Sequence, residues 1–128
     1  MARVGIISVD GHVKAPWPAY REYLDPQWRE RYDEWLNSSA MRPDFCHAGF
    51  GQEAQWDARR RVSDLESQGV VAEVVFPNGT PFATTPNNIE AARAGNLAYN
   101  RWLADVCSEV PRGCSARRSW TFTTSLPP

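Results

Sequence analysis

The chain opens on Val4-Gly5-Ile6-Ile7-Ser8-Val9, a short apolar run without strict alternation. Such a run suits a strand covered on both faces, and strands of that kind belong to parallel sheets flanked by helices. Asp10-Gly11 follows as a turn signal that ends it. Residues 13–52 read differently. Pro16, Pro18, Pro26 and Pro43 interrupt them, leaving room for two short helices over residues 19–24 and 28–36, both rich in Arg, Glu, Tyr and Trp. Asn37-Ser38-Ser39 marks a helix exit, and residues 41–52 have no period. The whole region reads as a long loop insertion after the first strand, packed through its aromatic residues. Loops of this length in compact domains are commonly functional.

Order returns at Gln55. Trp56, Val62 and Leu65 are spaced for a helix, with Arg59, Arg60 and Arg61 expected on its solvated face. Gly69 stands where a C-terminal cap glycine belongs. Val70-Val71-Ala72-Glu73-Val74-Val75-Phe76 is a β-branched run of strand length, closed by Pro77-Asn78-Gly79. A helix, a glycine and a buried strand form the second half of a βαβ crossover. Beyond a loop at residues 80–86, Asn87 or Asn88 caps a further helix that has Glu90 in its first turn. Ile89, Ala92, Asn96, Tyr99, Leu103 and Val106 recur there at intervals of three and four, and Pro111 ends the pattern. Residues 112–120 are basic and aperiodic, and where the next strand is due only a weak alternation over 120–123 is found.

Composition narrows the class. With 128 residues, 42% of them hydrophobic and 23% charged, the chain has the size and balance of one α/β domain rather than of a disordered segment. Fourteen basic and fifteen acidic residues give a formal net charge of -1, which offers no electrostatic case for binding nucleic acid or an acidic membrane surface. No apolar run approaches the roughly 20 residues of a membrane span, and no signal-peptide core follows Met1, so a cytoplasmic location is the expectation. Cys46, Cys107 and Cys114 are odd in number and widely separated, which fits structural thiols rather than a disulfide framework or a zinc cluster. The two histidines, His12 and His47, cannot complete a histidine-rich catalytic metal site within this chain.

Parallel α/β folds gather functional residues at the C-terminal ends of their strands. The first such end carries Asp10-Gly11-His12. Residues at i and i+2 of an extended segment point to one side, so a carboxylate and an imidazole there can share one divalent cation. The same tripeptide also reads as a plain turn with a solvated neighbour. The second end carries Asn78, whose amide suits either a substrate oxygen or a turn. His47, in the aperiodic loop, reads as a solvated side chain. Trp17, Trp28, Trp35 and Trp56 read as packing.

Taken together, Ile6-Ile7-Ser8-Val9-Asp10-Gly11-His12-Val13 and the aromatic loop after it resemble the opening of the amidohydrolase-related family. Residues 56–77, with Asp64-Leu65-Glu66 and Gly69-Val70-Val71-Ala72-Glu73-Val74-Val75-Phe76-Pro77, look like its first helix and second strand. Ala94-Gly95-Asn96-Leu97-Ala98-Tyr99-Asn100-Arg101-Trp102-Leu103 resembles its second helix. The resemblance implies the first two βα units of a (β/α)8 TIM barrel, with residues 1–111 as the N-terminal part of that barrel. It implies hydrolysis or non-oxidative decarboxylation of a small carboxylic or aromatic substrate. It further implies a divalent metal ion, zinc or manganese, with Asp10 and His12 as ligands and Asn78 as a residue of the mouth. A homo-oligomer stays open. An eight-stranded barrel takes about 250 residues, so the barrel is incomplete here, its sheet edges and helix faces stay open, and the isolated chain is expected to be inactive. The rival expectation is a small, non-catalytic α/β binding or interaction protein.

Residues 112–128 depart from the barrel pattern. Shifting the frame back by one base over the codons for residues 120–128 permits a hydrophobic-Asp-hydrophobic stretch like the family's third strand. A frame change between about Pro111 and Trp120 is therefore expected. Reading the gene past codon 111 in all three forward frames checks this. A frame that continues through about six further βα units bears it out, and early stops in every frame refute it.

Overall fold

A computed structural model describes residues 5–38, 52–83 and 88–110. They form an α/β arrangement around a two-stranded parallel sheet. Strand β1 is Ile6–Val13 and strand β2 is Val70–Pro77. Between them run helices α1 (Tyr20–Tyr23), α2 (Pro26–Asn37) and α3 (Ala58–Ser67), with short 3-10 turns at Trp17–Ala19 and Gln52–Gln55. Helix α4, Ile89–Ser108, follows β2.

Local chemistry explains most boundaries. Pro26 starts α2 at a position whose N–H has no helical partner to lose. The Asp57 carboxylate accepts from the Arg60 N–H and caps α3, and Asn88 does the same for α4 through the Ala91 N–H. Gly69 ends the α3 segment with φ +77°, a conformation that costs glycine nothing.

Strand β1 departs from its expected course. Asp10-Gly11 does not turn the chain; the strand runs through it to Val13. Nor is the first half covered on both faces, since Ile6, Ile7 and Val9 are 53%, 62% and 68% exposed. Burial begins at Gly11 and Val13, where α4 and the residues after β1 close over one face.

Residues 14–38, the described part of the region after β1, pack as expected from their aromatic content. Tyr20, Tyr32, Phe82, Tyr99 and Trp102 are buried in one cluster, with Trp17, Trp28, Trp35 and Trp56 against it. The stacked Tyr32–Trp35 pair and the edge-on Tyr32–Phe82 and Tyr20–Trp102 pairs give it fixed geometry. Phe82 adopts left-handed backbone, φ 62°, a strain offset by burial of its ring.

Three buried phenols fasten the chain as it leaves β1. The Tyr99 hydroxyl donates to the Val13 carbonyl at 3.3 Å, the Tyr20 oxygen accepts from the Ala15 N–H at 2.9 Å, and the Tyr32 hydroxyl donates to the Trp17 carbonyl at 2.6 Å. Burial pushes all three phenols well above the ordinary tyrosine range, so each stays protonated.

Helix α4 buries Tyr99 and Leu103 of the expected stripe but leaves Ile89 outside it. Ala91, Ala94, Gly95, Ala98, Tyr99, Trp102 and Leu103 face inward, while Ile89 and Leu97 are exposed. At Gly95 the approach is close: the Pro81 carbonyl lies where a side chain would begin, so that position faces the loop after β2 without one.

Replacing Tyr20 by Phe keeps the ring and strands the buried Ala15 N–H. The expected loss is about 1–3 kcal/mol of unfolding free energy, read from the urea midpoint at unchanged slope. An unchanged midpoint would show that the hydroxyl fastens nothing.

Candidate functional site

The parallel register places both strand exits at the same end of the sheet. Asp10 and His12 lie in the last four residues of β1. Their side chains share one face: His12 Nε2 is 3.3 Å from Asp10 Oδ1. On that face the His12 ring neighbours Phe76 of β2, with centroids 6.1 Å apart. His12 Nδ1 is 3.4 Å from the Pro77 carbonyl oxygen. The sequence-based pairing of the two side chains therefore appears in the structure, set in strand rather than in a turn.

The pair fits a shared divalent cation. Two donors each about 2.0–2.2 Å from one ion stand about 3.0–3.5 Å apart, which brackets the observed separation. The carbonyl beside the second ring nitrogen is the kind of partner that orients a metal-bound imidazole. Both side chains are open to solvent, as an ion that exchanges water and substrate needs. Among the described residues, no group of three or more His, Cys, Asp or Glu side chains is arranged to hold a metal. Cys46, His47 and Cys114 lie outside the described residues, as does the segment 111–128.

Asn78 directly follows β2 and reaches the same end. Its N–H donates to the Val13 carbonyl at 3.0 Å, and its side-chain Nδ2 donates to Gln55 Oε1 at 3.2 Å. Gln55 is buried and its own carbonyl accepts from the Lys14 N–H. Asn78 thus joins β2 to the rim formed by residues 13–14 and 52–55.

Two features are not evident from the sequence. Lys14, two residues past His12, is buried, with its ammonium 5.3 Å from the centre of the Trp17 ring. The other is an ion pair behind the strands. Arg61, expected among the solvated arginines of α3, turns inward instead, and only 14% of its side chain is exposed. Its Nε and Nη2 meet the two oxygens of Glu73 at 2.6 and 3.0 Å, while Nη1 donates to the Ala54 carbonyl at 3.0 Å. An Arg twelve residues before a Glu in the middle of an apolar strand is the available signal, because a charge inside a buried run requires a partner.

Beside this pair, an apolar cleft of about 40 Å3 opens among α3, β2 and α4, bounded by Val62, Leu65, Val75, Leu103, Val106 and Cys107. Burial pushes the Cys107 thiol up, which keeps it protonated and unreactive, as a structural thiol should be.

Comparison with protein-family models, with curated proteins and with solved structures gives no match. Function therefore rests on the residues and their geometry.

Removing one half of the Arg61–Glu73 pair leaves an uncompensated charge. Glu73→Ala is expected to cost about 3 kcal/mol or more, whereas Arg61→Met together with Glu73→Met recovers most of that loss. Thermal and urea unfolding of the three chains measure it, and equal stability of single and double variants would refute it.

Proposed function

We propose that this chain carries the first two βα units of a metal-dependent amidohydrolase-type barrel, and that Asp10 and His12 are two ligands of its divalent cation, zinc or manganese. The observation that carries the reading is the 3.3 Å juxtaposition of a carboxylate and an imidazole on one open strand face, with the second imidazole nitrogen against a main-chain carbonyl. The open face and edges support it as well. Ile6, Ile7, Val9 and Val71 are exposed apolar residues on a two-stranded parallel sheet, a surface that neighbouring strands and interior side chains cover in a closed barrel.

Under this reading the reaction is hydrolysis or non-oxidative decarboxylation of a small carboxylic or aromatic acid. A bound cation supplies Lewis acidity toward a carboxylate or carbonyl oxygen and lowers the pKa of a bound water. The chain's own residues do the holding. Asp10 contributes negative charge and a hard oxygen donor, and His12 contributes a nitrogen donor aligned by Pro77. Phe76 gives the same face an apolar wall beside His12. Asn78 stiffens the rim through the bond from its Nδ2 to Gln55. Two protein ligands make a weak site, so the chain by itself is inactive and the remaining ligands belong to further strands.

Isothermal titration of the full chain with Zn2+ and Mn2+ tests the reading. A single saturable site is expected, absent in Asp10→Ala and in His12→Ala. Binding that survives both substitutions, or no binding at all, overturns the metal assignment and favours a non-catalytic binding protein.

A further inference from the structure

We infer that Glu73 and Arg61 are positioning residues for Asp10 and His12, acting through Gly11, a role that rests on the metal reading above only for the identity of the ion. The starting point is the register. Ser8 stands opposite Glu73 and Gly11 stands opposite Val75. Two residues of β1, Val9 and Asp10, therefore face a single residue of β2, Val74. This is a register shift of the kind a β-bulge makes, the second of two in this pair after an opposite one between Ile6 and Ile7; bulges re-aim side chains and are rare in parallel pairs.

The bulge changes which residues share a face. In regular strand, positions 8, 10 and 12 point one way and position 11 the other. Here the Ser8 hydroxyl approaches Glu73 Oε1 at 3.5 Å, and a side chain built on Gly11 would run into the same Glu73 side chain, with Glu73 Cγ 2.8 Å away. Ser8 and Gly11 therefore lie on the Glu73 side. Asp10 and His12 are left together on the open side, 3.3 Å apart. The extra residue is what separates Ser8 from the pair.

Glu73 is the wedge that fits this bulge. Its carboxylate lies beneath Gly11, directly behind the residues that flank it in sequence, Asp10 and His12. The wedge cannot swing away, because Arg61 of α3 holds both carboxylate oxygens and is itself anchored to the Ala54 carbonyl. Three elements thus fix one carboxylate, and that carboxylate fixes the point where β1 gains its extra residue. A glycine at position 11 is the only residue that leaves space for it. A regular β1 would return Ser8 to the open face and move the ligands relative to Phe76 and the Pro77 carbonyl.

The test uses the full chain and two readouts. One is the nuclear Overhauser contact between the His12 and Phe76 ring protons, which reports geometry without any metal. The other is Zn2+ affinity. Gly11→Ala is expected to lose the ring contact and about tenfold or more in Zn2+ affinity, the scale on which supporting residues act at metal sites.

The decisive chains carry Arg61→Met and Glu73→Ala, which remove the wedge and its counter-charge together. In that background, Gly11→Ala should change neither readout by more than about twofold, because the methyl enters vacated space. If Gly11→Ala alone does not fold, the Arg61→Met, Glu73→Ala chain decides: loss of the ring contact in it supports the positioning role, and a wild-type ring contact overturns it. The inference is overturned if Gly11→Ala keeps the wild-type ring contact and affinity, or if it does equal damage with and without Glu73. Should the natural chain show the ring contact and bind no Zn2+, the metal reading fails while the ring contact still decides the positioning role.

Discussion

The carbonyl oxygen of Val13 accepts two hydrogen bonds, from the Asn78 N–H at 3.0 Å and from the buried Tyr99 hydroxyl at 3.3 Å. This one acceptor ties the exit of β1 to the exit of β2 and to the long helix α4. Downstream, Tyr20 and Tyr32 fasten Ala15 and Trp17 in the same manner. The strand exit from Val13 to Trp17 is thereby held by three phenols, each presented by a different helix. The aromatic cluster is the means of holding them. Its rings bury apolar area and orient the hydroxyls, so the energy of packing is converted into placement of backbone. His12 sits immediately before this fastened segment, and its own ring is steadied by Pro77 and Phe76 at the matching end of β2.

A second constraint works from behind the sheet and costs stability. A carboxylate in the middle of a buried strand face needs a partner, and even a well-made pair seldom outperforms an apolar replacement of equal volume. Glu73 with Arg61 is such a pair, made with good geometry by two donors at 2.6 and 3.0 Å. Packing alone does not call for it, since Val75 and Val13 fill the neighbouring positions of the same layer with hydrocarbon. What an apolar side chain lacks is fixed direction. A carboxylate gripped by a guanidinium that is itself bonded to Ala54 has one orientation, and the glycine above it meets that orientation as a boundary. Placement of this kind is needed where two exposed side chains must stay within ligand distance of each other.

Local signals carried most of the fold. Gly69, Asn88 and the run from Val70 to Phe76 act through their own backbone, and each element appears where its residues place it. The readings that failed are the ones that depend on distant neighbours. Ile89 looks like a core position, yet it is exposed, while α4 buries Ala91, Ala94, Gly95 and Ala98 beside Tyr99, Trp102 and Leu103; of these, Gly95 meets the Pro81 carbonyl so closely that no side chain fits. Arg61 is indistinguishable in sequence from Arg59 and Arg60. Its inward turn follows only from the presence of Glu73 across the gap to β2. Asp10-Gly11 has the composition of a turn, and the glycine is required instead by that same Glu73. The pairing of Asp10 with His12 was readable because a two-residue period downstream of the bulge is intact; the bulge itself leaves no mark in one sequence.

The two constraints meet on opposite faces of one short strand. Toward the helices, β1 presents Ser8, Gly11 and Val13 to Glu73 and the core; away from them it presents Asp10 and His12 beside Phe76. The helix side is finished, with buried rings and a satisfied ion pair. The opposite side is hydrophobic near its start, at Ile7 and Val9, and polar near its exit. That gradient along a single strand matches a surface whose lower part is meant to be packed and whose upper part is meant to bind. Under the proposed metal reading, the rigidity built behind β1 holds Asp10 and His12 within ligand distance of each other before any further group joins them.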